Sequence, residues 1–157
     1  MRRELAMGAA AGAVGTVALN VATYLDMVMR ARASSSVPAE VAGALTQRAG
    51  LPLSRQGPDS EAAQNRQSGL GALLGYVTGL GVGGVYGVIR PRAPWFPRPL
   101  AAVGLGAAAM SGSDVPSALL GITKPGTWSV TSWASDVVPH LAYGAFTAIA
   151  FDAFAGG

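Results

Sequence analysis

Cysteine is absent from this chain of 157 residues. That removes disulfide frameworks, zinc ribbons and thiol nucleophiles together. Charge is scarce as well: Asp, Glu, Lys and Arg make up 12% of the residues, about half the roughly 25% usual in soluble domains. There is one histidine, His140, which leaves carboxylates as the other candidate metal ligands, a weak signature. The eleven Lys and Arg give a formal net charge of +3 but are scattered along chain ends and connections. No basic stripe runs among interleaved aromatics, so a nucleic-acid surface has no support. Arginines flanking apolar segments read instead as anchors for anionic head groups.

What the chain does have is apolar length, small residues and 22 glycines. Half of its residues are hydrophobic, and the abundant Gly and Ala are typical of membrane helices. Residues 5–25 contain no charged side chain, and neither do residues 67–89. At 1.5 Å per residue, each crosses a hydrocarbon core of about 30 Å. Two shorter apolar stretches follow, 99–113 ending at Asp114 and 137–151 between Asp136 and Asp152. With their polar flanks they also read as spans. The expectation is one all-α membrane domain, a four-helix bundle with spans at about 5–28, 67–89, 99–114 and 134–153. "MRRE" before an apolar run resembles a signal peptide, but no A-x-A cleavage site follows, so the first segment is expected to stay as an anchoring helix.

Residues 30–66 form the one sizeable polar loop. Within it, "SVPAEVAGALTQRAG" predicts a short amphipathic helix, with Pro38 in the first turn and Glu40 placed well against the dipole. Val41 and Leu45 share a face suited to the membrane surface. Residues 90–99 hold four prolines and predict a tight basic turn, with Trp95 and Phe96 at the membrane interface. Residues 121–133 predict the matching turn on the opposite side, with Trp128 and Trp133 as its aromatic belt. Four spans place Arg2, Arg3, Arg90, Arg92 and Arg98 on one side. Arg30, Arg32, Arg48, Arg55, Arg66 and Lys124 fall on the other. Short connections weigh more than long ones, which favours cytoplasmic termini.

"GLGVGG" fits the dinucleotide pattern G-x-G-x-x-G at Gly79, Gly81 and Gly84. No strand precedes it and no acid follows about twenty residues on, so the two features that make the motif work are missing. No nucleotide and no other cofactor is expected. The four-residue recurrence of Gly71, Gly75, Gly79, Gly83 and Gly87 explains the stretch better, as a ridge that lets another helix backbone come close. Gly8, Gly12 and Gly15, and Gly104 with Ala108, are plausible opposite numbers, within this chain or on a partner.

Ionisable groups at membrane depth need a reason. Asp26 precedes Arg30 by four positions, the favourable order for an ion pair. Asp136 and His140 are also four apart and share a helix face, beside Pro139, which frees a backbone carbonyl. Asp114, just before Pro116, is expected at a similar depth. Asp26, Arg30, Asp114, Asp136 and His140 thus form a candidate polar cluster. It reads as a hydrogen-bonded structural knot, a proton or ion pathway, or, less well, a metal site. Catalysis by Ser113 and His140 lacks a nucleophile motif and an oxyanion hole.

The order of features, "GAAAGAVGTVALNVATYLDM", a loop with "SSSVP", the glycine-rich span, "LLGITKP" and "WSVTSWASDVVPHLAYGAFTAIAFD", resembles the YagU-like family of small bacterial inner-membrane proteins. The resemblance implies four spans in the cytoplasmic membrane and a closing helix with an acid and His-Leu near its start. It implies no reaction. In size and lack of catalytic residues, the chain is similar to small accessory subunits of envelope machines, among them Mce-type lipid importers. The expected function is a non-enzymatic accessory subunit of a larger membrane complex, with lipid and other membrane subunits as partners. The alternative is a small homo-oligomeric transporter or proton conductor using the Asp/His cluster.

Overall fold

The computed structural model describes residues 1–55 and 57–156, and among these it is all helical, without a strand. Helix α1 spans Arg2–Arg30, α2 Val37–Arg48, α3 Glu61–Ile89, α4 Arg98–Leu119 and α5 Val130–Ala155. Three of these runs, Arg2–Arg30, Glu61–Arg92 and Val130–Ala155, are long and apolar enough to cross a membrane. Helix α4 has 22 residues but is less apolar: Ser111, Ser113, Asp114, Pro116 and Ser117 occupy its second half.

Local chemistry sets the helix ends, and several lie outside the expected boundaries. Helix α3 begins six residues before Gln67, because Ser60 caps it by accepting from the Ala63 amide at 3.3 Å, with Glu61 in the first turn. Ser129 does the same for α5 through the Ser132 amide at 3.1 Å. Between α3 and α4, Arg90–Arg92 forms a single 3₁₀ turn. Pro97 then sits extended as the N-cap of α4, with Pro99 in the first turn, where a missing N–H is harmless. Helix α4 runs past Asp114 to Leu119. It closes with Gly121 at φ +74°, the Gly121 amide on Ala118 O at 3.0 Å and the Ile122 amide on Ser117 O at 2.9 Å, a Schellman stop.

The four long helices alternate in direction. Helix α1 runs antiparallel to α3, with Gly8 against Gly83 and Gly87 and Gly12 against Gly79 and Gly83. It also runs antiparallel to α5, with Gly15 against Tyr143 and Thr147. Helix α4 packs antiparallel on α5 through Gly106 against His140 and Gly144 against Ala102. Ion pairs tie one end of the bundle, Arg92–Glu4 at 3.4 Å and Arg98–Asp152 at 2.7 Å. At the other end Arg30 meets Ser135.

The core is built from small residues around a few large ones. Tyr143 packs with Leu105, Ala109 and Ala148, and Phe151 packs with Ala11 and Ala150. The Tyr86 ring meets Phe151 edge-on at 5.3 Å. Helix α2 packs against the start of α3, where the Pro38 backbone covers Gly71. Val41 is buried there while Leu45 stays exposed, so only Leu45 of the expected surface-facing pair is free to meet a membrane surface.

The aromatic pairs lie in the turns. Trp95 and Phe96 stack edge-on at 5.9 Å, and Trp128 and Trp133 lie 5.0 Å apart. Trp133 belongs to the first turn of α5, not to the loop before it.

Candidate functional site

The glycine ridge on α3 is consumed largely within the chain. Four residues are 1.11 helical turns, so a four-residue ladder advances about 40° per rung and about 160° over five glycines. It cannot face a single neighbour. Gly71 faces α2, Gly79 faces Thr16 and Tyr143, and Gly83 and Gly87 face α1. Gly75 has nothing within 4 Å. On α4 the contact falls to Gly106, whose added Cβ would lie 2.6 Å from the His140 carbonyl oxygen. Gly104 is open. The α1–α3 seam therefore has backbone against backbone: a Cβ at Gly83 would sit 2.5 Å from Gly8 O and 2.6 Å from Gly12 Cα. Dispersion and Cα–H···O contacts hold such a seam.

The five candidate polar residues divide into two adjacent groups near one end of the bundle. In the first, Asp26 is held by two arginines. Arg30 Nε donates to it at 2.6 Å and its Nη2 donates to the other carboxylate oxygen. Arg32 Nε donates at 2.5 Å. Arg32 reaches back because Ala31 adopts the left-handed conformation, φ 49° and ψ 38°, which folds the chain over the end of α1. Every charge in this group is paired.

The second group joins α4 to α5. His140 Nδ1 lies 2.7 Å from the Asp136 carbonyl oxygen and 3.3 Å from Asp136 Oδ1. Both are acceptors, so Nδ1 carries the hydrogen and Nε2 is left for another partner. The Asp114 carboxyl lies close enough to Asp136 and His140 to interact electrostatically with both. Asp136 Oδ2 is buried and has no hydrogen-bond partner among the described residues. Pro139, buried between these residues, denies the Ser135 carbonyl its helical donor.

Ser135, the residue before Asp136, touches the first group. Its hydroxyl donates to Thr131 O at 2.8 Å and accepts from Arg30. The residues expected to cluster thus lie in one region, but as a neutralised Asp26–Arg30–Arg32 knot beside an Asp114–Asp136–His140 group. No three His, Cys, Asp or Glu side chains among the described residues converge as a metal site.

One buried polar pair escaped the sequence reading. Ser117, fully buried, bonds Thr123 Oγ1 at 2.8 Å and Asp114 O at 2.9 Å. It braces the helix end that carries Asp114. A serine and a threonine six apart, across a glycine turn, carry no spacing signal.

No protein-family model, no curated protein and no solved structure matches this chain.

Proposed function

We propose that this chain is a multi-pass protein of the bacterial cytoplasmic membrane, with α1, α3, α4 and α5 as its spans. Its working site is the Asp114–Asp136–His140 group, and its activity is that of a small transporter or proton conductor. One observation carries this reading: the Asp114 and Asp136 carboxyls lie beside an imidazole where α4 meets α5, and Asp136 Oδ2 is buried with no hydrogen-bond partner among the described residues. Ionisable groups facing the interior of a membrane bundle are costly and commonly mark proton and ion pathways. His140, with Nδ1 engaged and Nε2 left over, is suited to pass a proton to or from the pair. The test is proton flux into vesicles holding the purified chain and a pH-sensitive dye. Flux above that of empty vesicles, lost in His140→Ala and in Asp136→Asn, supports the reading. Flux no greater than that of empty vesicles overturns it.

A second reading, a non-enzymatic accessory subunit of a larger assembly such as a lipid importer, rests on a narrower base than the sequence suggested. Most of the glycine ridge is covered by α1 and α2. Gly75, flanked by exposed Leu73, Leu74, Tyr76 and Val77, is the ladder position left to a partner. If that reading holds, a tagged chain purified from native membranes carries a stoichiometric partner, and Gly75→Leu loses it.

A further inference from the structure

Helices α3 and α4 close on each other where Thr78 meets Gly112 and stand apart toward the Arg90 end. The opening is a groove of about 570 Å³, walled by Val77, Val85 and Ile89 of α3 and by Leu100 and Ala108 of α4. Gly81 and Gly104 lie along it with nothing within 4 Å of where a Cβ would stand. The surface is almost wholly apolar, with Thr78 at the closed end and one charged group at the other. Arg90 borders one end, and its Nη1 donates to Phe96 O at 2.7 Å and Ala93 O at 3.3 Å. Neighbouring Arg92 and Arg98 have carboxylate partners; among the described residues no carboxylate pairs with Arg90. One turn deeper the Tyr86 ring lines the wall, with its hydroxyl buried away from the groove.

We propose that this groove seats one acyl chain of an anionic phospholipid, with the phosphate at Arg90. The order of groups along α3 matches the order along such a lipid: a cation comes first and apolar wall lies beyond. Charge complementarity at Arg90 selects an anionic head group, because its guanidinium is a fork suited to phosphate. A transmembrane helix from another protein fits less well. It is about 10 Å across and 30 Å long, and its backbone carbonyls are already bonded internally, so it brings no anion to Arg90. This lipid site is independent of the proton reading and stands or falls separately.

The test is native mass spectrometry of the intact chain in mild detergent, titrated with dioleoyl phosphatidylglycerol or dioleoyl phosphatidylcholine. One phosphatidylglycerol is expected to be held about tenfold more tightly than phosphatidylcholine, the step a single charge-assisted contact of about 1.4 kcal/mol gives. Arg90→Gln should bring the two lipids level. Gly104→Leu, which meets no neighbour in the fold, should fill the groove and remove the bound lipid. Circular dichroism melting of each variant confirms that it is folded. Equal retention of the two lipids by the native chain overturns the proposal, as does undiminished phosphatidylglycerol binding in a folded Arg90→Gln. If Gly104→Leu instead displaces a co-purifying protein and leaves lipid binding intact, the groove is a protein seat and the proposal fails.

Discussion

The hydroxyl of Tyr143 on α5 donates to the carbonyl oxygen of Gly79 on α3 at 2.6 Å. The bond crosses the middle of the bundle to reach a backbone exposed only because residue 79 has no side chain. Tyr143 is 1% exposed, so no water competes for the contact. The Gly79 carbonyl lies inside α3 and has a helical donor of its own. Tyr143→Phe should therefore lower stability by about 1 kcal/mol, the ordinary net worth of a buried hydrogen bond. Thermal unfolding in detergent, followed by circular dichroism, reads this directly; an unchanged melting temperature would mean the bond adds nothing.

The ladder glycines make a sharper contrast. Gly83→Ala drives a Cβ into the backbone of α1 and should cost about 3 kcal/mol, the upper range for overpacking where neither side yields. Gly75→Ala meets nothing and should stabilise α3 by up to about 1 kcal/mol through helix propensity. Equal melting temperatures for the two variants would contradict the seam described here.

Much of this architecture is legible in the residue order, and the exceptions have physical causes. Charge-free runs mark α1 and α3, and the i, i+4 spacings of Asp26–Arg30 and Asp136–His140 anticipate contacts that form. The winding of the ladder is also implicit, since 3.6 residues per turn cannot keep a four-residue period on one line. What is hidden depends on three dimensions. Gly104 and Gly106 look alike in sequence, yet the crossing of α4 with α5 uses only Gly106. The left-handed turn at Ala31 lacks the glycine that normally announces it, so Arg32 could not be seen to join Asp26. The same blindness covers Ser117 and Thr123, which meet only once Gly121 has turned the chain.

Ala31 itself offers a gain. A non-glycine residue in the left-handed region is strained by roughly 1–2 kcal/mol, and Ala31 stands at φ 49°. Ala31→Gly should relieve most of that and stabilise the chain by about 1 kcal/mol, with Asp26, Arg30 and Arg32 still joined. A fall in melting temperature would show that the cap is not strained.

At the carboxyl pair, charge and shape separate cleanly. Asp114→Asn keeps the shape, removes a carboxylate from beside Asp136 and brings an amide N–H to the pair, so stability should change by less than about 1 kcal/mol. Asp114→Ala removes the polar group altogether, leaves Asp136 Oδ2 buried without a partner and should cost about 2 kcal/mol. Equal losses in the two variants would mean that Asp114 and Asp136 do not interact.

Helix α4 offers only eleven residues, Leu100 to Met110, before its serines and Asp114 begin. That run covers about 17 Å, roughly half the thickness of a hydrocarbon core. The charge-free runs of α1 and α3, residues 5–25 and 67–89, reach about 32 Å and about 35 Å. In the four-span arrangement proposed above, a bilayer would meet taller apolar walls at α1 and α3 than at α4. Local thinning beside α4 would relieve that mismatch and draw the head-group layer and its water inward toward Asp114.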